Sequence, residues 1–526
     1  MPSPGVIALL NTKMKIIMER KDFLKLIGAG TGMLTLSPAL LACTSDGKTD
    51  ASFSGDAFSR ALTFPEEIRA TDFELAAETA RRKLAGGVDS DVYTLNGSLP
   101  SPTIRVKRGE TLAINYQNRI DQESIIHWHG LIVPPDMDGH PKDAVQPGKT
   151  YNYRFDVDQR AGTYWYHPHP DKLTGPQVYR GLGGLLLVED EEEQALGLPS
   201  GENELPLIVQ EKRINDQGRM TYSLNMMARR MGFFGNTLFV NGVQSPYHEV
   251  AARFYRLRLL NGSNARILDF SFSDDHPFYV IGSDGGLLER PYQVSSVTLS
   301  PGERADLLVD FSPYEVGEKV RMTAETRNGM DGMMDGMMNG DGRGMMDGGG
   351  MMNRDRGGMM GRNKNRSQNE GEGLIEFRIT KEEQDPFRMP QALTELSFPD
   401  EADADRSRRI DLTMEMMEGP AINGKFFEML RVDQKIEQGA LEIWEFNNRT
   451  MMPHPMHLHA TQFKVLNRSG GPLAPHERGW KDTIRVDSGE SVRVLTKFDA
   501  QKGLYVFHCH NLEHEDNGMM ANFEIV

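Results

Sequence analysis

Cysteine is nearly absent: 526 residues contain two, Cys43 and Cys509. At most one disulfide can form, which excludes a disulfide-stapled scaffold even for an exported chain. A basic excess is missing as well, since 75 acidic residues outnumber 59 basic ones and leave a net charge of -16. That balance excludes nucleic acid as the main partner and favours attraction of cations. Beyond the first fifty residues no apolar run approaches the roughly 18 residues needed to cross a bilayer. The mature chain therefore reads as soluble or held by lipid at one end. Glycine and proline are plentiful, 53 and 28, beside 38% hydrophobic and 25% charged residues, a loop-rich globular composition. The length suggests three or four domains of about 150 residues each.

Residues 1–50 read as an export signal. Lys13, Lys15, Arg20, Lys21 and Lys25 precede an apolar, glycine-containing stretch over 26–41. Leu40-Leu41-Ala42-Cys43 then resembles a bacterial lipobox, which implies lipidation of Cys43 and membrane anchoring in the periplasm or cell envelope. Arg20-Lys21-Asp22-Phe23-Leu24-Lys25 also resembles a twin-arginine signal with lysine as its second basic residue.

The body alternates short Val/Ile/Tyr/Leu-rich runs with Gly, Pro and Asn turns, as in Thr103-Ile104-Arg105-Val106 and Thr111-Leu112-Ala113-Ile114-Asn115-Tyr116. Such spacing predicts an all-β fold of antiparallel sandwiches. Three blocks emerge, 55–190, 205–385 and 405–526, separated by an acidic linker over 189–204 and a proline-containing boundary over 381–408. The second block is interrupted by a low-complexity segment, 329–373, holding eleven of the chain's 31 methionines. Its methionines lie among Gly, Asp, Asn and Arg without apolar neighbours, which predicts a long mobile hairpin loop between strands at 319–326 and 374–379.

Histidine carries the chemistry. Ten of fourteen fall into four clusters: His127-Trp128-His129, His167-Pro168-His169, His454-Pro455-Met456-His457-Leu458-His459, and His508-Cys509-His510 followed by His514. On a strand, residues i and i+2 share a face, so each His-X-His pair aims two imidazoles into one space. Four pairs supply eight nitrogen ligands. His140, His248, His276 and His476 stand alone and read as core or surface residues. A thiolate, two imidazoles and a weak axial thioether make a blue-copper electron-transfer site. Cys509, His514 and Met519 or Met520 can come from one loop, with His454 from a neighbouring strand. Zinc accepts a His/Cys set too, but explains neither the eight further histidines nor the thioether.

His-Trp-His-Gly at 127–130, Trp-Tyr-His-Pro-His at 165–169, His-Pro-Met-His-Leu-His at 454–459 and His-Cys-His-Asn-Leu-Glu-His-Glu-Asp-Asn-Gly-Met-Met at 508–520 resemble the four copper motifs of the multicopper oxidases. The resemblance runs from about residue 72 onward. It implies three cupredoxin-like Greek-key β-sandwich domains and four copper ions: one type 1, one type 2 and two type 3. Type 1 ligands would be His454, Cys509, His514 and Met519. Type 2 would be held by His127 and His457, and the type 3 pair by His129, His167, His169, His459, His508 and His510. Cys509, between His508 and His510, would join the electron-accepting copper to the cluster. Four coppers hold the four electrons that reduce dioxygen to two waters. The resemblance also implies proton-delivering carboxylates at Asp138 and Glu515.

Soft metal is the favoured electron donor, since thioethers select Cu(I) and the Met-rich segment lacks histidine. Leu412-Thr413-Met414 and Ala421-Ile422-Asn423-Gly424 resemble the flanks of the methionine-rich insert of bacterial copper-efflux oxidases, although here the methionines sit in the second block. That likeness implies Met414 and Met452 as ligands of a substrate Cu(I). The acid expected four residues before His454 is Thr450, leaving Glu415 and Glu418 as candidates to replace it. Fe(II) is a further metal donor. A laccase-like phenol oxidase would use the same coppers with an open apolar pocket at His454. A copper-sequestering lipoprotein would need no cluster, and a copper nitrite reductase would not need eight cluster histidines.

Overall fold

Alternation decides which residues pair into sheets. In the strand Thr111–Asn118 every second side chain, Leu112, Ile114, Tyr116 and Asn118, is buried and those between are half-exposed, the pattern of a sheet with one face on a core. The computed structural model describes residues 57–85, 87–327, 373–415 and 418–526. The leader with Cys43, and the Met-rich segment except Gly373, lie outside the described residues.

Six sheets account for the described strands, two from residues 67–189, two from 204–382 and two from 406–525. Three hydrophobic cores match them: Leu75, Tyr116 and Trp128 sit in one, Leu257, Phe270 and Phe377 in the next, Trp444, Phe463 and Phe523 in the third. The architecture is all-β, three face-packed sandwiches of the cupredoxin-like kind. Lys319–Thr326 and Ile375–Glu382, which bracket the Met-rich segment, pair antiparallel from Lys319 with Arg378 to Met322 with Ile375. No described helix is long and apolar enough to cross a membrane.

Three segments differ from the expectation. Residues 58–62, placed with the first block by sequence, join the second: Phe58 N–H donates to the Ser245 carbonyl, Leu62 N–H to that of Tyr247, and Leu62 enters the second core. The acidic linker over 189–204 packs against the sandwiches it joins. It forms the short helix Glu191–Ala195, capped by Asp190. Within it, Glu193 contacts Arg256 at 2.6 Å and Arg258 at 2.9 Å, and Glu204 contacts Arg258 at 2.7 Å and Arg105 at 2.9 Å. The boundary over 381–408 also packs down, with Phe387 and Leu393 buried against Leu198, Ile281 and Leu308.

The sheets that carry the histidines depart from simple alternation. Ile126–His129, Gly162–Pro168 and His454–Leu458 are buried at every position. One face lies on its own core, through Trp128 or Met456. The other is closed by the opposite sandwich.

Candidate metal centre

Two histidine-bearing strands of the first sandwich meet two of the third. Antiparallel pairing sets His127 opposite His167, and His457 opposite His508. Because i and i+2 share a face, His129, His459 and His510 follow their partners into the same space, and all eight clustered imidazoles are fully buried.

Donor and acceptor roles can be worked through ring by ring. His127 Nδ1 donates to the Asp138 carbonyl at 2.7 Å, His457 Nδ1 to the Asp482 carbonyl at 2.9 Å, and His459 Nδ1 to Asp138 Oδ2 at 2.8 Å. His129 Nε2 donates to Asp482 Oδ1 at 2.9 Å, His167 Nδ1 to the Pro168 carbonyl at 2.9 Å, and His508 Nδ1 to the Cys509 carbonyl at 3.2 Å. A neutral imidazole has one N–H, so the second nitrogen of each of these rings is a bare lone pair. Those nitrogens face one another: His127 Nε2 and His457 Nε2 at 3.3 Å, His129 Nδ1 and His167 Nε2 at 3.4 Å, His459 Nε2 and His508 Nε2 at 3.1 Å. Lone pair opposes lone pair, an arrangement that a cation between them resolves.

Protonation is the competing resolution, and burial opposes it. Desolvation, with help from neighbouring imidazoles, pushes His129, His167, His457 and His459 well below the usual histidine range. Both ring nitrogens of His510, and Nδ1 of His169, are buried without a hydrogen-bond partner. Such orphaned nitrogens are costly unless they bind something. Three histidine-only triads bring their ligand atoms within 4.8 Å of one another: His127, His457 and His459; His127, His129 and His167; His169, His459 and His508. Imidazole donors with second-nitrogen hydrogen bonds to oxygen fit bound copper. Asp138 and Glu515 both border this space. Glu515 places Oε2 3.2 Å from His508 Nδ1 and Oε1 3.4 Å from His169 Nε2.

A second group lies on the other face of the strand Gly503–Cys509. Cys509 Sγ is 3.4 Å from His454 Nδ1 and 3.5 Å from His514 Nδ1, and all three are buried. Strand register sets His508 opposite Met520, so Met519 falls opposite Cys509 and shares its face. Met519 joins the third core together with Cys509. The loop closes on itself, Cys509 N–H donating to the Met519 carbonyl and Met519 N–H to that of His514. Burial pushes the Cys509 thiol up and holds His514 down at about 3, so the thiolate needs a metal to form here. The donor set of thiol, two imidazoles and thioether again fits copper.

Around His454 the sequence candidates separate. Its Nε2 lies 2.8 Å from Thr450 Oγ1. The parallel pairing that matches Leu412 to Asn448 brings Met414, still paired with Pro420 in the sheet, and Thr450, just past the strand Leu441–Asn448, to the same end. Met414 is 40% exposed, Met451 80% and Met452 8%. Glu415 lies on the opposite strand face from Met414 and accepts from Thr413 Oγ1 at 3.1 Å. Glu418 is exposed, and its carbonyl accepts from Asn517 Nδ2 at 2.7 Å, beside the Cys509–Met519 loop.

The solitary histidines are in none of the metal-competent groups among the described residues. His140 Nε2 is 2.9 Å from Asn522 Oδ1, and His276 Nε2 donates to the Asp310 carbonyl at 2.9 Å. Sequence reasoning missed Asp482, which joins His129 and His457 in a further group and is gripped by Arg304 at 2.6 Å. Its only signal is a Lys-Asp-Thr triplet without a neighbouring histidine.

Comparison with known proteins agrees with this geometry. Residues 76–193, 187–331 and 399–526 each match a family profile described as multicopper oxidase. A multicopper oxidase of Staphylococcus haemolyticus is 32% identical over 460 residues, covering 86% of this chain and 88% of its own. A laccase of Bacillus subtilis is 30% identical, covering 89% and 98%. Among solved structures, the McoA multicopper oxidase of Aquifex aeolicus superposes with a TM-score of 0.76 at 34% identity, over 89% of this chain and 99% of that one. Matched along nearly its whole described length, the chain belongs to the multicopper oxidase family, copper-dependent oxidoreductases that carry electrons from a reducing substrate to dioxygen.

Proposed function

We propose that the reducing substrate is Cu(I), oxidised at the surface beside His454 in an exported copper-tolerance protein anchored through Cys43. The observation that carries this reading is the pair of thioethers at the Thr450 end of the sheet. Met452 lies two residues past Thr450, which hydrogen-bonds His454, and the strand register carries Met414 to the same end of the sheet; thioether donors favour Cu(I) over harder ions.

In this reading the type 1 copper is held by His454, Cys509, His514 and Met519. The type 2 copper is held by His127 and His457, and the type 3 pair by His129, His167, His169, His459, His508 and His510. Four bound coppers would supply one-electron acceptance at the first site and four-electron reduction of dioxygen at the cluster. The chain's own residues do the rest. His508 and His510 flank Cys509 on one strand, so the two sites are joined by a few covalent bonds. Asp138 orients His127 and His459 through its carbonyl and carboxylate, and Glu515 stands beside His169 and His508. These two carboxylates stand at the cluster's edge as the groups that pass protons to it. The three sandwiches correspond to domains bounded near 190–205 and 385–405.

The test is kcat/KM for Cu(I) and for a simple phenol on copper-loaded mature protein, followed by oxygen uptake. A preference for Cu(I) of at least about tenfold, selectively reduced by joint Met414→Leu and Met452→Leu substitution, is expected. Equal or better turnover of phenol, with no selective effect of the methionine pair, would replace the metal substrate by a phenolic one.

A further inference from the structure

We infer that Thr450 is the positioning residue that locks His454 in its metal-binding tautomer and sets the potential of the copper held there. The inference rests on reading His454 as a type 1 ligand, and it follows from hydrogen-bond accounting in a buried network.

Asn448 anchors the network. Its Nδ2 donates to the carbonyls of Met452 at 2.7 Å, Val486 at 3.0 Å and Asp487 at 3.0 Å. Three surrounding carbonyls fix which end of the amide is nitrogen, so Oδ1 must face Thr450. There it accepts the Thr450 N–H at 2.9 Å and lies 2.8 Å from Thr450 Oγ1. A hydroxyl has one proton, and Asn448 Oδ1 at 2.8 Å and the Met452 carbonyl at 3.0 Å carry no hydrogen of their own, so a hydroxyl turned to His454 would set lone pair against lone pair at both; the proton goes to one of these two oxygens. Either choice leaves only lone pairs on Oγ1 toward His454. At 2.8 Å, His454 Nε2 must therefore carry a hydrogen and donate it. The other nitrogen, Nδ1, is then bare, and it is the one 3.4 Å from Cys509 Sγ.

The partner imidazole reaches the same tautomer differently. His514 Nε2 donates to the backbone carbonyl of Arg230 at 3.0 Å, an acceptor that no side-chain substitution removes. Of the two type 1 imidazoles, only His454 depends on a replaceable side chain. A carboxylate at position 450 would draw the Nε2 proton more strongly, make the imidazole a stronger donor and favour oxidised copper. The neutral hydroxyl keeps the tautomer without that charge, so threonine holds the potential higher than an acid would.

The experiment compares Thr450→Val, Thr450→Ser and Thr450→Asp with the unsubstituted holoprotein. Three readouts apply: type 1 copper affinity, type 1 reduction potential by redox titration, and the His454 tautomer by nitrogen-15 NMR of metal-free protein. Valine keeps the shape and removes the acceptor, so it should weaken type 1 copper binding about 10-fold or more and mix the tautomers. Serine should restore both, and aspartate should restore the tautomer while lowering the potential. Circular dichroism and cluster copper content report whether each variant folds; if valine does not, the serine and aspartate pair still decides through the potential. Unchanged affinity, potential and tautomer in folded Thr450→Val, or equal potentials for serine and aspartate, overturns the role of Thr450 alone. Absence of type 1 copper from the unsubstituted protein overturns the ligand reading and this inference with it.

Discussion

Lys212 is buried, with its ammonium against the Tyr179 carbonyl and 4.7 Å above the Tyr179 ring. No carboxylate lies within ion-pair distance among the described residues, and burial pushes the amine down to about 7. Between about 7 and the ordinary lysine value of 10.5 the unfolded chain holds a proton that the folded chain has released. Stability therefore rises with pH across that window, and the penalty is fully present below it. Lys212→Met should flatten this slope and raise stability at neutral pH by a few kcal/mol, on the order of the shift's free-energy equivalent. Urea midpoints of both proteins between pH 7 and 10 test it; parallel curves would remove Lys212 from the pH response. Single residues also show what a sequence can reveal. The histidines were legible because period-two spacing is itself a strand property. Asp482 was not, since its partner His129 is 353 residues away and only folding brings them together. Thr450 stood out only as a missing acid, and its hydrogen bond to His454 needed coordinates.

Elements were legible where one local rule governs them. The strand Thr111–Asn118 alternates as its sequence does, and the strands bracketing the Met-rich segment pair as their composition suggests. The packing of the 189–204 connection was not legible, because a run of acids ordinarily faces water. Here Arg256 and Arg258, alternating inward on the strand Phe254–Asn261, draw Glu193 and Glu204 into the interior. A turn gives this scale its prediction. Gly302 has a φ of +84° and sits against the centre, where an added Cβ would come 3.0 Å from the His510 ring. Alanine there combines left-handed backbone strain of about 1–2 kcal/mol with pressure on an imidazole that has nowhere to go. Gly302→Ala should lose cluster copper while retaining the type 1 absorption, measured by metal analysis and visible spectroscopy. Full copper content would show that the cage yields at His510.

Across the molecule, the middle sandwich contributes no clustered histidine, yet it holds the other two in register. Arg304 donates to the Thr163 carbonyl of the first sandwich at 2.9 Å and to Asp482 of the third at 2.6 and 2.8 Å. Nearby Lys481 contacts Asp284 at 2.9 Å and Glu303 at 2.8 Å. One guanidinium thus ties all three sandwiches to Asp482, whose carboxylate orients His129 and whose carbonyl orients His457. Arg304→Met leaves Asp482 buried without that cation, a loss of about 3–5 kcal/mol for a broken buried pair. The melting temperature should fall, and cluster copper should be lost before type 1 copper. Thermal unfolding with metal analysis checks both, and an unchanged melting temperature would deny the arginine its structural role. None of this was legible in the sequence, because buried arginine and surface arginine are spelled alike.

His127 and His457, whose ring nitrogens meet across the cage, are 330 residues apart, and the strand Met520–Ile525 pairs with the one bearing Cys509. During synthesis the first four imidazoles leave the ribosome long before their partners exist. No partial product owns a quarter or half of the catalyst. Copper must wait until residues 508–525 have joined the fold, and loss of the strand Met520–Ile525 would strip the neighbour of the Cys509 strand along with the position of Met519. The order of synthesis places metal capture after both halves of the cage exist, so a filled site reports that the two outer sandwiches have met.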